Sequence, residues 1–191
     1  MRKLLFVLIL FMSVKISAQN DEGRPFMGYE TMEMSMNKFK YFAGEVGFQF
    51  DIKNIVRLTI MEVKLTERHL SSKYEAGAIE GDRVEGYLRG YELYYDRFFS
   101  NHWYYSLTMG YYYNFYEHMD LGEKLENDTM TIGSGVGYRR TNLFKVEHLY
   151  LNFSIPIRYH FSKIDETQLG ETTVRPHVII NNIWLFLGYS F

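Results

Sequence analysis

The sequence predicts an all-β fold: a closed, antiparallel, up-and-down β-barrel of about eight strands that crosses a membrane. Three observations predict it. Apolar and polar residues alternate with period two in segment after segment, which is the signature of strands with two unlike faces. Aromatic residues make up 18% of the chain, with 17 Tyr and 15 Phe against only three Pro, a composition that favours strands. Beyond the first dozen residues no stretch approaches 18 consecutive apolar residues, so no helix can span a bilayer. A spanning fold must then close on itself to satisfy its backbone hydrogen bonds.

The amino-terminal segment reads as a secretory signal. Arg2 and Lys3 give a positive start, Leu4 to Met12 form an apolar run, and Ser17-Ala18 offers a small-residue exit before Gln19. Nine apolar residues fall far short of the roughly 20 that a membrane-crossing helix needs. The expectation is therefore a cleaved segment 1–18 and a single barrel domain over 19–191. The absence of cysteine leaves no site for a lipid-modified amino terminus and no disulfide framework. Removing 1–18 takes Arg2, Lys3 and Lys15, so 21 basic residues become 18 against 23 acidic ones. A net negative chain disfavours nucleic-acid binding, which needs a basic surface to neutralise phosphates.

Eight strands are expected at 27–36, 41–50, 55–70, 84–99, 103–119, 129–140, 149–164 and 174–191. The clearest are Leu149, Leu151, Phe153, Ile155, Ile157, Tyr159 and Phe161 against Tyr150, Asn152, Ser154, Pro156, Arg158 and His160, and Trp103, Tyr105, Leu107, Met109, Tyr111 and Tyr113 against Tyr104, Ser106, Thr108, Gly110, Tyr112 and Asn114. Ile183, Leu185, Leu187, Tyr189 and Phe191 continue the rhythm in the last segment. Segments 51–54, 100–102 and 141–148 are compact connectors, and 71–83, 120–128 and 165–173 are longer loops for the opposite end. Two strands are irregular. In 55–70 the apolar phase moves from Val56, Leu58 and Ile60 to Met61, Val63 and Leu65, which predicts a β-bulge near residue 60. In 84–99 an outward Tyr91, Leu93 and Tyr95 puts Arg89 and Arg97 on the same side, where they must reach an interface.

In an eight-stranded barrel the interior is filled by side chains, so an open diffusion pore is not expected. The inward set includes Glu33, Glu45, Glu92, Asp96, Arg139, Arg158 and His160. Charges of both signs in a confined space must be paired and hydrogen-bonded. Glu45, Glu92, Asp96, Arg139 and Arg158 are accordingly the expected lumenal polar network. Gly133, Gly135 and Gly137 alternate along one strand and make room for bulky neighbours. Two aromatic girdles are expected, Phe98, Phe99, Trp103, Tyr189 and Phe191 near the short turns, and Tyr41, Phe42, Phe115, Tyr159 and Phe161 near the other interface.

By this pattern the chain resembles the small outer-membrane β-barrel proteins of Gram-negative bacteria. The most specific element is the ending Tyr189-Ser190-Phe191 after alternating apolar residues, which looks like the carboxyl-terminal signal read by the family's barrel-assembly machinery, with Leu187, Tyr189 and Phe191 as its anchors. The resemblance implies location in the cell outer membrane, contact with its lipid and lipopolysaccharide, and a structural or interaction role through external loops that meet a surface ligand or another envelope protein. Two alternatives belong to other classes. Lipid A deacylases of this kind use a His-x-Ser pair and a downstream carboxylate; His69-Leu70-Ser71 followed by Glu75 or Glu80 is similar, without that family's glycine and asparagine context. A soluble, lipocalin-like periplasmic barrel would carry an apolar lumen instead. The six histidines are scattered and show no zinc spacing, so neither a metal nor another cofactor is expected.

Overall fold

The computed structural model describes residues 23–36, 41–65, 77–80, 84–162, 165–176 and 179–191. In chain order these form β1 Arg24–Glu30, α1 Met32–Met36, β2 Tyr41–Gln49, β3 Asn54–Leu65, β4 Gly77–Glu80, β5 Val84–Phe98, β6 Trp103–His118, β7 Lys124–Thr141, β8 Leu149–His160, β9 Thr167–Leu169, β10 Thr172–Pro176, β11 Ile179–Asn181 and β12 Trp184–Ser190. Each long strand pairs antiparallel with its sequence neighbour, and β12 pairs with both β8 and β1. That last pairing closes the sheet. β11 and β12 lie end to end against β8 in one register, from Ile179 opposite Tyr159 to Tyr189 opposite Leu149. They form one stave, so the result is a closed eight-stranded antiparallel up-and-down barrel.

The alternation read in the sequence is the alternation of the two faces. Along β6, Trp103, Tyr105, Leu107, Met109 and Tyr111 are exposed, while Tyr104, Ser106, Thr108, Tyr112 and Asn114 are buried. Several expectations need correction. There is no bulge in β3, whose pairing with β5 runs unbroken from Asn54 opposite Arg97 to Leu65 opposite Gly86. The apolar phase changes because the surroundings change. Met61 and Val63 turn inward to an apolar core, while Glu62 and Lys64 stand outside. The first strand ends at Glu30 rather than 36, because residues 32–36 form a helical turn, and Glu33 sits on it instead of in the wall. The loop expected at 120–128 shrinks to a tight turn, since β7 already starts at Lys124. Of the strand expected at 174–191, residues 174–176 leave the wall as part of β10, which joins β4 and β9 in a separate small sheet.

At the end carrying the compact connectors, the β2–β3 turn is clipped by one side chain. Asp51 Oδ1 accepts the backbone N–H groups of Lys53 (2.6 Å) and Asn54 (2.8 Å), and Oδ2 accepts the Asn54 amide (2.7 Å). The Asn54 side chain, then the Lys53 amide, hold the Asp51 carboxyl below its usual value. A depressed acid stabilises the fold above its unfolded pKa and stops doing so as pH falls through the folded one. Asp51→Ala is therefore expected to lower the urea midpoint at neutral pH, with the gap to the parent closing in acid below the usual carboxylate range. A gap that is constant with pH would mean that the clip is not electrostatic.

Candidate functional site

The interior gathers the buried ionisable side chains of the barrel, and it is built in tiers. Nearest the compact turns lies a small apolar plug of Phe26, Ile55 and Tyr150 with Phe98 against it. Above it is an ion network centred on Arg57. This guanidinium is fully buried, with Nε 2.7 Å from Asp96 Oδ2 and Nη1 3.1 Å from Glu45 Oε2, and it lies 3.8 Å from the Tyr94 ring centroid. Ser106 donates to the other oxygen of Asp96 at 2.5 Å. Tyr150 and Asn152 donate to Glu45 at 2.9 and 3.1 Å, and Tyr104 donates to Asn152 at 2.6 Å. A second cluster joins Glu92 to Arg158, Tyr94 and Tyr112, with Arg158 also donating to Asn182.

Of the five network residues expected, Glu45 and Asp96 meet through Arg57, and Glu92 meets Arg158. Arg139 joins neither pair. Its guanidinium is held 4.0 Å from the Phe26 ring and 3.8 Å from the Tyr150 ring, with no carboxylate partner among the described residues. Arg57 is the residue that sequence reasoning missed. Its signal was available, because Val56 and Leu58 outward force Arg57 inward. Glu30 was missed too. Buried inside the barrel, it accepts the backbone N–H groups of Met32 (2.9 Å), Glu33 (3.1 Å) and Met34 (3.1 Å), so the orphan donors of the α1 amino terminus satisfy a carboxylate that has no cation among the described residues.

Glycine creates the space these rings occupy. A Cβ on Gly137 would lie 2.1 Å from Tyr104 Cζ, and one on Gly188 2.3 Å from Tyr150 Cζ. The tyrosines thus lie flat across strands that offer no side chain of their own.

The upper tier is apolar. Tyr41, Met61, Val63, Leu88, Tyr116, Trp184 and Phe186 form one cluster, to which the small sheet contributes Leu169 and Val174 and the helix contributes Met34. The loop-bearing end is therefore capped from above by β4, β9 and β10. Gly170 is tied down by its N–H to Glu123 Oε2 (2.8 Å). This tier also corrects the aromatic girdles. Tyr41 is a core residue and Phe98 packs on the lower plug, whereas Phe99, Trp103, Tyr189 and Phe191 at one end and Phe42, Tyr159 and Phe161 at the other are exposed on the exterior.

Outside, charge is segregated among the described residues. Around the compact turns, Arg24, Lys53, Arg97, Arg140 and Lys145 are exposed, against Glu147 and the half-buried Asp51. Around the loop end, Glu85, Asp120, Glu123, Glu126, Asp128, Asp165, Glu166 and Glu171 are exposed or half-exposed. Among the described side chains the cations there are engaged: Arg89 pairs with Glu62, Lys64 with Glu85 at 2.8 Å, and Lys124 with Glu117 at 3.5 Å. Arg89 and Arg97 thus lie on opposite margins of the apolar wall, as the strand phase required.

His69 and Ser71, the candidate catalytic pair, lie outside the described residues, as does the expected signal 1–18. Glu80 ends β4, paired with Thr173 of β10. Leu187 and Tyr189 face outward on the closing strand, and Phe191 follows it, its N–H bonded to Pro25 O at 2.8 Å.

No protein-family model and no curated protein matches the chain. Solved structures do align with it. A major outer membrane protein from Thermus thermophilus is similar at a TM-score of 0.52 and 11% identity, over 90% of this chain and 100% of that one. The amino-terminal β-barrel domain of Pseudomonas aeruginosa OprF aligns at 0.43 and 13%, over 91% and 100%. The attachment invasion locus protein Ail of Yersinia pestis aligns at 0.44 and 13%, over 89% and 98%. At such identities the likeness speaks for the fold alone, and the alignment above 0.5 carries it.

Proposed function

We propose that the chain is an outer-membrane β-barrel that is exported by residues 1–18, closed to diffusion, and active through its loop end as a structural or interaction protein. One observation carries the membrane half of this reading: the faces are inverted relative to a soluble protein. A continuous row crosses the wall through Val46, Leu58, Leu93, Met109, Ile132 and Tyr159. Within it Leu93 is 50%, Met109 60% and Ile132 54% exposed, while Arg57, Arg139 and Arg158 are buried inside with Glu30, Glu45, Glu92 and Asp96. Water does not tolerate a belt of that extent on a monomer; hydrocarbon does.

The tiers of side chains in the lumen support a closed barrel, since each level is occupied by buried rings or paired ions. Leu187, Tyr189 and Phe191, on and just past the closing strand, suit a role as the assembly signal. The carboxylate surplus among the described residues of the loop end suits partners that bring positive charge, including lipopolysaccharide phosphates bridged by divalent cations. The test is fractionation of the expressed chain with a gel run boiled and unboiled. The mature chain is expected in the outer-membrane fraction with anomalous migration when unboiled. Recovery in the soluble periplasm, migrating alike in both lanes, would overturn the reading in favour of the soluble barrel.

A further inference from the structure

The exterior wall is not uniformly convex. In the register row that holds Leu107 of β6, Ser134 of β7 and Ile157 of β8, the middle residue is small, and in the adjacent row Val136 sits between Tyr105 and Ile155. The flanking side chains stand out from the wall, with Tyr105 60%, Leu107 64% and Ile157 56% exposed. The missing bulk along β7 leaves an outward-facing apolar groove of about 570 Å³ between two ridges, and Arg97 lies at its lining. Arg97 is the register partner of Tyr105. It is exposed on the lipid-facing side, one residue before the end of β5 at the compact-turn rim, and among the described residues its guanidinium makes no hydrogen bond or ion pair. Its charged neighbour is Asp51, which feels it only at a distance.

Resting on the membrane reading above, we infer that this groove seats one acyl chain of a glycerophospholipid from the periplasmic leaflet, with the lipid phosphate on Arg97. The chemistry fits at both ends. A methylene chain replaces side-chain contacts that Ser134 and Val136 do not supply. A phosphodiester at the head-group level meets a planar guanidinium able to bind it through two donors. Arg140, also exposed at the same rim, adds to an electropositive margin that complements anionic head groups. Among the described side chains, the cations of the loop end are already paired with carboxylates, so the preference is for this leaflet.

The test uses the full mature barrel purified in detergent and first shown to be heat-modifiable. Native mass spectrometry with added phosphatidylglycerol, and with diacylglycerol as the phosphate-free probe, reads the bound lipid. The wild type is expected to retain one phosphatidylglycerol and at least fivefold less diacylglycerol. Arg97→Gln should abolish that preference, and Ser134→Leu or Ser134→Phe, which fill the groove, should reduce retention of both lipids at least fivefold while heat-modifiability persists. Equal retention by wild type and the Ser134 variants overturns the groove. A two-chain species lost on Ser134→Phe overturns it in favour of a second copy as occupant. A wild-type chain that is not heat-modifiable and stays soluble without detergent overturns the membrane reading, and this proposal with it.

Discussion

Arg57→Met is expected to lower the stability of the folded barrel by about 3–5 kcal/mol, the usual cost of removing one member of a buried ion group. The reason lies in the stoichiometry around it. Arg57 serves two carboxylates, Glu45 and Asp96, and all three side chains have 2% exposure or less. Removing the cation leaves two acids in a confined interior. Ser106, Tyr150 and Asn152 still donate to them, but no charge opposes them directly. Arg139 stands next to Tyr150 and cannot substitute, because its guanidinium is committed to ring faces rather than to a carboxylate. Urea titration in detergent or lipid vesicles, followed by the fluorescence of Trp103 and Trp184, measures the loss. Combining Arg57→Met with Glu45→Gln and Asp96→Asn should recover much of it, since the carboxylates then need no cation. A loss below about 1 kcal/mol for Arg57→Met alone would mean that water, not Arg57, solvates the acids, and the lumen would have to be wet at that level.

What the sequence made legible follows from which interactions are local. Period two is a backbone property, so the two faces of β6 and β8 could be assigned from the residues alone, and with them the inward placement of Glu45, Glu92, Asp96, Arg139 and Arg158. The pairing of those charges is not local. Glu45 and Asp96 lie on different strands and meet only because β2, β3 and β5 align in a particular register. Periodicity does not reveal that Arg57 stands between them. The misjudged bulge in β3 has a related cause. A strand whose apolar set changes parity reads as slipped only if each face keeps one character over its whole length. In this barrel the inner face is ionic at Arg57 and apolar at Met61 and Val63, and the outer face is apolar at Leu58 and charged at Glu62 and Lys64. Both sides change at the same height, where the outer wall passes from apolar to charged. Glu30 and α1 were hidden for another reason. A single turn of helix gains its stability from a buried carboxylate capping it and from Met34 packing on the core, neither of which has a period to detect.

That coincidence of height on the two faces makes the membrane reading measurable position by position. Met109→Arg, in the middle of the exposed apolar row, is expected to destabilise the barrel in lipid vesicles by about 2–4 kcal/mol, as for basic residues at a bilayer midplane. Tyr87→Arg lies on the same wall, above Tyr91 and beside the exterior Arg89–Glu62 pair, and should cost no more than about 1 kcal/mol, the value near an interface. A protein in water would respond differently. Met109 is 60% exposed, and surface substitutions of that kind usually change stability by less than about 0.5 kcal/mol. Desolvation of the introduced guanidinium is the term that raises the cost at Met109 above that at Tyr87, since Tyr87→Arg also gives up the Tyr87 hydrogen bond to Glu62, a loss that works against the expected order. Equal small effects at Met109 and Tyr87 would therefore show that water surrounds the waist of the barrel, whatever its fold. A steep difference would place hydrocarbon there, and would fix the outer edge of the hydrocarbon between the row of Met109 and the row of Tyr87, Lys64 and Phe115.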